Sequence, residues 1–318
     1  MICFRTALKV AVLTAACGMA THVSAEQTDE PFFGRTDPTQ FKPVDYGGGT
    51  IYEMTVLPGD IMSTNVAYIR SGILPARTGI GTHTHRNMEE IYIVLDGPAE
   101  FTLDGATALL PDRSSVLCPM GSSHALYNNS DETIRFVALA VTRAKGVVDE
   151  NIVYGPVPGR NIPDSGTIRM ENQKKANATY VSPPPFRWVR FDWSLTKWVG
   201  PAHLGSGKIL NTRPWLDGNF ETNWVRVGHC ILPPGTSIGY HRHDGIEETY
   251  FILEGMGRMT VNDVTRDVRS GDAVPCTIHD SHGIYNNSNA DLDLFVFMVA
   301  MERGKLDATN HGDDLSGR

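Results

Sequence analysis

The sequence predicts an all-β protein built of two tandem β-barrels. Three observations predict it. A whole-domain repeat runs through the chain at a constant offset of 158 residues, so that His83 maps to His241. Inside each copy, short β-rich runs alternate with Gly-containing turns, as in "EEIYIVLDGPAEFTLDG" (89–105) and "EETYFILEGMGRMTVND" (247–263). Outside the first 25 residues, convincing helical periodicity over ten or more residues is missing.

In chain order, residues 1–25 stand apart. "MICFRTALKVAVLTAACGMATHVSA" has Arg5 and Lys9, an apolar run, and a small-residue site at Val23, Ser24 and Ala25. That layout is expected of a secretory signal peptide cut before Glu26, which makes the mature chain secreted or periplasmic. Lipoprotein anchoring at Cys17 is the weaker reading, because Thr14 sits where a bulky aliphatic is preferred. Nothing in the chain approaches the ~20 apolar residues of a membrane span. Arg5 and Lys9 are the only charges in the segment, so the net charge of −8 becomes −10 on cleavage. An acidic surface argues against a nucleic-acid partner, whose binding is dominated by phosphate neutralisation. Hydrophobic content of 41% and charged content of 20% suit a globular chain with a full core. Of the remaining cysteines, Cys118, Cys230 and Cys276 are an odd count and are expected to be buried free thiols.

Residues 26–150 form the first copy, 151–180 a Gly- and Pro-rich linker, and 181–318 the second copy. The gap-free match takes Pro43 to Pro201, "GGGTI" (47–51) to "GSGKI" (205–209), Cys118 to Cys276, and "YNNS" at 127–130 to "YNNS" at 285–288. Beyond it the match is read as resuming two residues later, with Arg143 opposite Arg303. The second copy opens on an unusually aromatic arm, "YVSPPPFRWVRFDWSLTKW" (180–198), expected to pack across the two domains.

Each copy then presents a ligand constellation. Residues i and i+2 of a strand share a face, so His83 and His85 aim two imidazoles at one point, as do His241 and His243. After a four-residue turn, Glu90 and Glu248 begin a strand that can lie alongside; Glu89 and Glu247 would face away by the same period of two. His124 and His282, again 158 apart, supply a third imidazole. Three neutral nitrogen donors and a carboxylate suit a divalent transition metal, Mn, Fe, Ni, Cu or Zn, up to one per domain.

These segments resemble the two motifs of the cupin superfamily: HxH, four residues, Glu, six residues, Gly (Gly97, Gly255); then Pro-x-Gly, two residues, His, three residues, Asn (Asn128, Asn286). With two copies the chain is similar to the bicupins. The resemblance implies a jelly-roll barrel per copy with a metal at each mouth. Departures fall in turns: Arg113 stands where the second motif usually opens with Gly, as at Gly271, and Thr277 and His279 replace the motif residues kept as Pro119 and Gly121.

A centre of this kind attracts anionic or enolizable small molecules. The first expectation is a metal-dependent oxidoreductase, a dioxygenase or oxidative decarboxylase acting on a small carboxylate or phenolic compound, similar to oxalate-decarboxylase-like and flavonol-dioxygenase-like bicupins. No stretch matches the decarboxylases' catalytic lid, and the HxH pairs enclose Thr84 and Arg242. The alternatives are a metal-dependent isomerase or lyase on a sugar or sugar acid, and a non-catalytic carbohydrate-binding protein. Tyr92 and Tyr250 share the inward face with the glutamates and are candidate catalytic helpers, against core filling. His279, present only in the second copy, is a candidate proton shuttle, against an exposed loop residue. Arg70 and Arg226 could hold a carboxylate bidentately, against surface placement. Neither a GxxxxGK[ST] loop nor a GxSxG elbow occurs. Pairing of jelly rolls through sheet edges leaves room for a homo-oligomer.

Overall fold

The computed structural model describes residues 31–147, 149, 152–158 and 186–318. The expected signal peptide with Cys17, and most of the linker 151–180, lie outside the described residues. Both copies fold as two-sheet jelly-roll barrels with antiparallel pairing throughout. In the first, a seven-stranded sheet runs Trp188–Arg190, Ser114–Cys118, Met88–Val94, Ile134–Thr142, Val66–Leu74, Thr50–Pro58, Lys42–Asp45. Its five-stranded partner runs Gly47–Gly48, Gly79–Thr84, Ser123–Tyr127, Ala99–Leu103, Ala106–Leu110. The second barrel repeats this with Gly34–Arg35, Asp272–Cys276, Ile246–Glu254, Leu292–Ala300, Trp224–Leu232, Ile209–Leu216 and Lys197–Val199 in one sheet. Val264–Arg269, Met256–Val261, Ser281–Tyr285, Ser237–Arg242 and Thr309–Asn310 form the other.

Two edge strands are exchanged between the copies. Gly34–Arg35 pairs with Asp272–Cys276 of the second barrel, where Arg35 grips both oxygens of Asp272 at 2.8 and 2.9 Å. Trp188–Arg190, from the aromatic arm, pairs with Ser114–Cys118 of the first, and Arg190 reaches Asp112 at 2.8 Å. Each exchange covers a sheet edge that would otherwise present unpaired backbone groups.

The strands of the large sheets are apolar on both faces because they border two cores. Along Met88–Val94, every residue is buried. Tyr92 and Val94 enter the first barrel's interior, with Phe101 and Phe136. Ile91 and Ile93 face the other way, into a core shared with Phe251, Phe295 and Phe297 of the second barrel. Each such side chain contributes roughly 1.5–3 kcal/mol by leaving water, so the barrels are joined by a core and not by a surface contact.

Glu89 and Glu247 do face away from the histidines, and the structure shows what they meet. The carboxylate of Glu89 accepts from the backbone N–H of Glu221 (2.8 Å) and Thr222 (2.9 Å) and from the Thr222 hydroxyl, all in the other barrel. Glu247 returns the arrangement, accepting from the N–H groups of Ser63 (2.7 Å) and Thr64 (2.8 Å) and the Thr64 hydroxyl. The repeat is also longer than the sequence reading allowed. Lys145, not Arg143, is the structural counterpart of Arg303: its ammonium caps the carbonyls of Gly59 and Met62, as the Arg303 guanidinium caps Phe220 and Glu221. The offset of 158 therefore continues without a shift, and two neighbouring cations had obscured the register.

The turn departures are accommodated locally. Arg113 adopts φ 56°, close to the left-handed conformation of Gly271 at 87°. Its guanidinium offsets that strain by bonding Asp293 and the Phe191 carbonyl across the barrels. Asn128 and Asn286 hold turns, donating to Leu74 and Glu132, and to Leu232 and Ala290. Cys118, Cys230 and Cys276 are free and buried.

Candidate metal centres

In each copy the HxH strand pairs with the strand carrying the third histidine, so His124 lies opposite His83 and His282 opposite His241. The glutamate arrives from the facing sheet. The eight side chains predicted from the spacing come together as two buried clusters: His83, His85, Glu90 and His124, and His241, His243, Glu248 and His282, with the donor atoms of each set within 4.8 Å of one another. In the first, the Nε2 atoms of His124, His85 and His83 stand 2.9, 3.1 and 3.9 Å from Glu90 Oε2. In the second, those of His282, His241 and His243 stand 3.0, 3.5 and 3.8 Å from Glu248 Oε2. Two donors at right angles, each ~2.1 Å from one ion, would be ~3.0 Å apart, so the spacing fits a single cation.

The outer ring nitrogens fix the tautomers. The Nδ1 atoms of His83 and His241 lie 2.9 and 2.8 Å from the carbonyls of Gly81 and Gly239. Those of His124 and His282 lie 3.3 and 3.1 Å from Ser122 and Asp280, and that of His243 meets the Asp307 carbonyl. A carbonyl can only accept, so Nδ1 carries the proton and Nε2 turns its lone pair inward. Nε2 of His241 and of His243 is buried with no hydrogen-bond partner among the described residues. Buried polar atoms left in that state are uncommon, and a metal ligand is a physical reason for them. His85 is the exception, with Nδ1 3.2 Å from the Asp149 carboxylate.

Electrostatics follow the same geometry. Burial and the neighbouring His124 depress His83 to about 4, which keeps it neutral and able to donate a lone pair at ordinary pH. Burial pushes the Glu90 carboxyl up, but in the metal-free cluster, where His124 and His85 can carry a proton on Nε2, hydrogen bonds donated by these rings outweigh it and hold it well below the usual carboxylate range. Glu248 is also held well below that range, the close imidazoles of His241 and His282 outweighing burial.

The first cluster opens into a cavity, and one residue of the second lines another. The first cavity, ≈ 560 Å³, includes His83, His85 and Glu90 in its lining; the second, ≈ 350 Å³, includes Glu248. Tyr92 and Tyr250 line them and are buried, with Tyr250 donating to Glu248 at 2.9 Å. Arg70 and Arg226 are half-buried and line the walls of the same cavities. His279 is placed elsewhere. It occupies a turn at φ 72°, with its ring mostly in solvent and 3.0 Å from Asp244, and it lines neither cavity.

Other site residues escaped the sequence reading. Tyr68 binds the second oxygen of Glu90, and Tyr154 and His203 lie against the histidines. Asp149 and Tyr68 carry a usable signal, since their counterparts at the repeat offset, Asp307 and Arg226, also touch ligand residues. Tyr154 and His203 carry none, because each comes from a position without a like residue in the other copy.

The fold and donor sets define a class, two-barrel proteins whose barrels can each hold one transition-metal ion. A profile of the cupin-domain family matches residues 71–141 and 228–298. An oxalate-binding protein of Thermotoga maritima is 36% identical over 103 residues, 32% of this chain and 77% of its own. Quercetin 2,3-dioxygenase of Bacillus subtilis is 27% identical, across 63% of this chain and 66% of its own length. Among solved structures, oxalate decarboxylase of Bacillus subtilis superposes with a TM-score of 0.56 over 87% of this chain and 78% of its own, at 15% identity, a likeness of fold. Another structure of that decarboxylase concerns its Mn(II) centres. The chain belongs to the cupin family and is a bicupin. Among the described residues no helix is long and apolar enough to cross a membrane.

Proposed function

We propose that this bicupin is a metal-dependent oxidoreductase, a dioxygenase or oxidative decarboxylase acting on a small carboxylate or phenolic compound, and that it is exported by residues 1–25. One observation carries the reading: His83, His85 and Glu90 line one open cavity of ligand size and Glu248 lines another, where a structural metal site would be closed by protein on all sides. A bound metal would act there as a Lewis acid and, if redox-active, could take part in electron transfer. The chain's own residues do the rest. Three neutral imidazoles and one carboxylate leave a divalent ion with net positive charge, which favours anionic or enolizable ligands. Arg226 adds a cationic group at the wall of the second cavity. The names of the two relatives, one binding oxalate and one oxidising quercetin, support the carboxylate and phenolic classes.

The test is an oxygen-electrode screen of the full chain loaded separately with Mn, Fe, Ni, Cu and Zn, against dicarboxylates and polyphenols. Oxygen consumption with at least one redox-active metal is expected. Inertness to oxygen combined with turnover of sugar acids by the Zn form would replace this reading with isomerase or lyase chemistry.

A further inference from the structure

The repeat lets the two cavity walls be compared position by position, and four positions exchange their chemistry. Glu53 corresponds to Asn211, Thr55 to Arg213, Tyr68 to Arg226 and Arg70 to Gly228. Position 68/226 matters most, because it contacts the metal-binding glutamate. In the first barrel the Tyr68 hydroxyl donates to Glu90 Oε1. In the second the Arg226 guanidinium stands 3.4 Å from Glu248 Oε1. The carboxylate oxygen turned away from the histidines is thus held by a neutral phenol in one barrel and by a cation in the other.

The charge around these residues differs as well. Arg70 lies 3.9 Å from Glu53 and stacks at 3.9 Å over the Tyr68 ring, in a cavity also lined by Asp60 and Asp149. Its charge is matched. In the second cavity Glu248 is the one carboxylate among the described lining residues, and a metal ion would neutralise it. Arg213 is exposed at the cavity edge and has no hydrogen bond or ion pair with the described residues, and partial burial together with repulsion from Arg226 pulls its guanidinium below its usual range. Two arginines on neighbouring strands of one cavity wall, with Glu248 beside Arg226 as the one carboxylate, favour an anionic ligand that supplies the missing charge.

We infer that the second cavity is a site for a compact dianion, held by Arg213 and Arg226 beside Glu248, and that position 68/226 makes this barrel and not the first one take it. The inference rests on the proposed reading of the clusters as metal centres facing substrate. The first cavity, larger and walled by Tyr46, Tyr68, Tyr92 and Tyr154, is left to an uncharged or aromatic ligand.

Calorimetric titration of the full, Mn-loaded chain with malonate and with inorganic phosphate tests this, with metal content measured on every variant. One saturable site is expected, weakening as salt rises. The tighter of the two probes tells a dicarboxylate ligand from a phosphorylated one. Arg226→Tyr, which installs the first barrel's residue, and Arg213→Gln, at the cavity mouth, should each weaken binding about tenfold or more with the metal retained. Arg70→Gln should change it less than about twofold, since that charge is already matched. Unaltered affinity in Arg213→Gln and Arg226→Tyr, or a loss in Arg70→Gln alone, overturns the inference. A chain that binds malonate through the two arginines but consumes no oxygen upholds it and sinks the oxidoreductase reading. A chain that oxidises a phenol and binds neither probe does the reverse.

Discussion

The two barrels hold the same four donors but support them from different directions. In the first, the outer nitrogen of His85 faces the Asp149 carboxylate, and Tyr154, from the segment that follows the last strand, lies over His83 with ring centroids 4.8 Å apart. In the second, His243 is held by the backbone carbonyl of Asp307, whose carboxylate caps the turn at Asp244 and Gly245 instead. His203, from a segment before the barrel's main strands, stacks on His241 at 3.7 Å and 7°. Donors that must converge within a few ångströms leave little freedom, whereas any group of suitable shape can cover a ring. The repeat therefore preserved the floor of each site and let the walls diverge.

The comparison can be broken first at the element that treats both barrels alike. Glu89→Ala and Glu247→Ala each leave one buried and one half-buried N–H group and a hydroxyl without their acceptor, and each should cost on the order of 3 kcal/mol in urea unfolding. A loss in one variant without the other would show that the clasp between the barrels works from one side only.

The supports should separate the barrels more gently. Asp149→Asn is expected to weaken metal retention in the first barrel by about tenfold under chelator competition. Asp307→Asn should leave the second barrel's metal nearly untouched, because the histidine partner there is a main-chain carbonyl. Equal losses would erase the distinction.

Acid should weaken both barrels when the metal has been removed. Burial and a neighbouring imidazole depress His83 and His203 from 6.5 to about 4. Between those values the unfolded chain binds more protons than the folded one, so stability is full above pH 6.5 and falls as pH drops through about 4. Glu90 and Glu248, held below the usual carboxylate range, add to the loss in the same direction. Thermal midpoints that rise on acidification across that window would contradict the assignment of these rings as neutral. The smallest difference is expected at the inward tyrosines. Tyr250→Phe loses a hydrogen bond to Glu248 worth about 1 kcal/mol, and Tyr92→Phe should lose less.

Much of this was legible in the sequence because it depends on period and repeat. Alternation of two placed His83 with His85 and turned Glu89 away from Glu90, and the offset of 158 supplied the second site without further assumption. What Glu89 turned toward was not legible, since its partners at 221 and 222 lie far along the chain and in the other barrel. The exchange of the strand at 34–35 was hidden for the same reason, and although the aromatic arm was expected to pack across the domains, its pairing as a strand at 188–190 was not legible: edge pairing is satisfied by any extended segment, and sequence does not say which. His279 was noticed because it is a histidine near a ligand, but its left-handed turn position, filled by Gly121 in the first copy, is a matter of backbone geometry.

The central claim is that each barrel grips one metal ion through its own imidazoles and glutamate. Elemental analysis of the full chain beside His83→Ala/His85→Ala and His241→Ala/His243→Ala tests it most directly. The account predicts about two ions per chain in the parent and about one in each double variant, following the two donor sets. A parent chain without metal after growth or reconstitution, or double variants that both keep the parent's content, would contradict it.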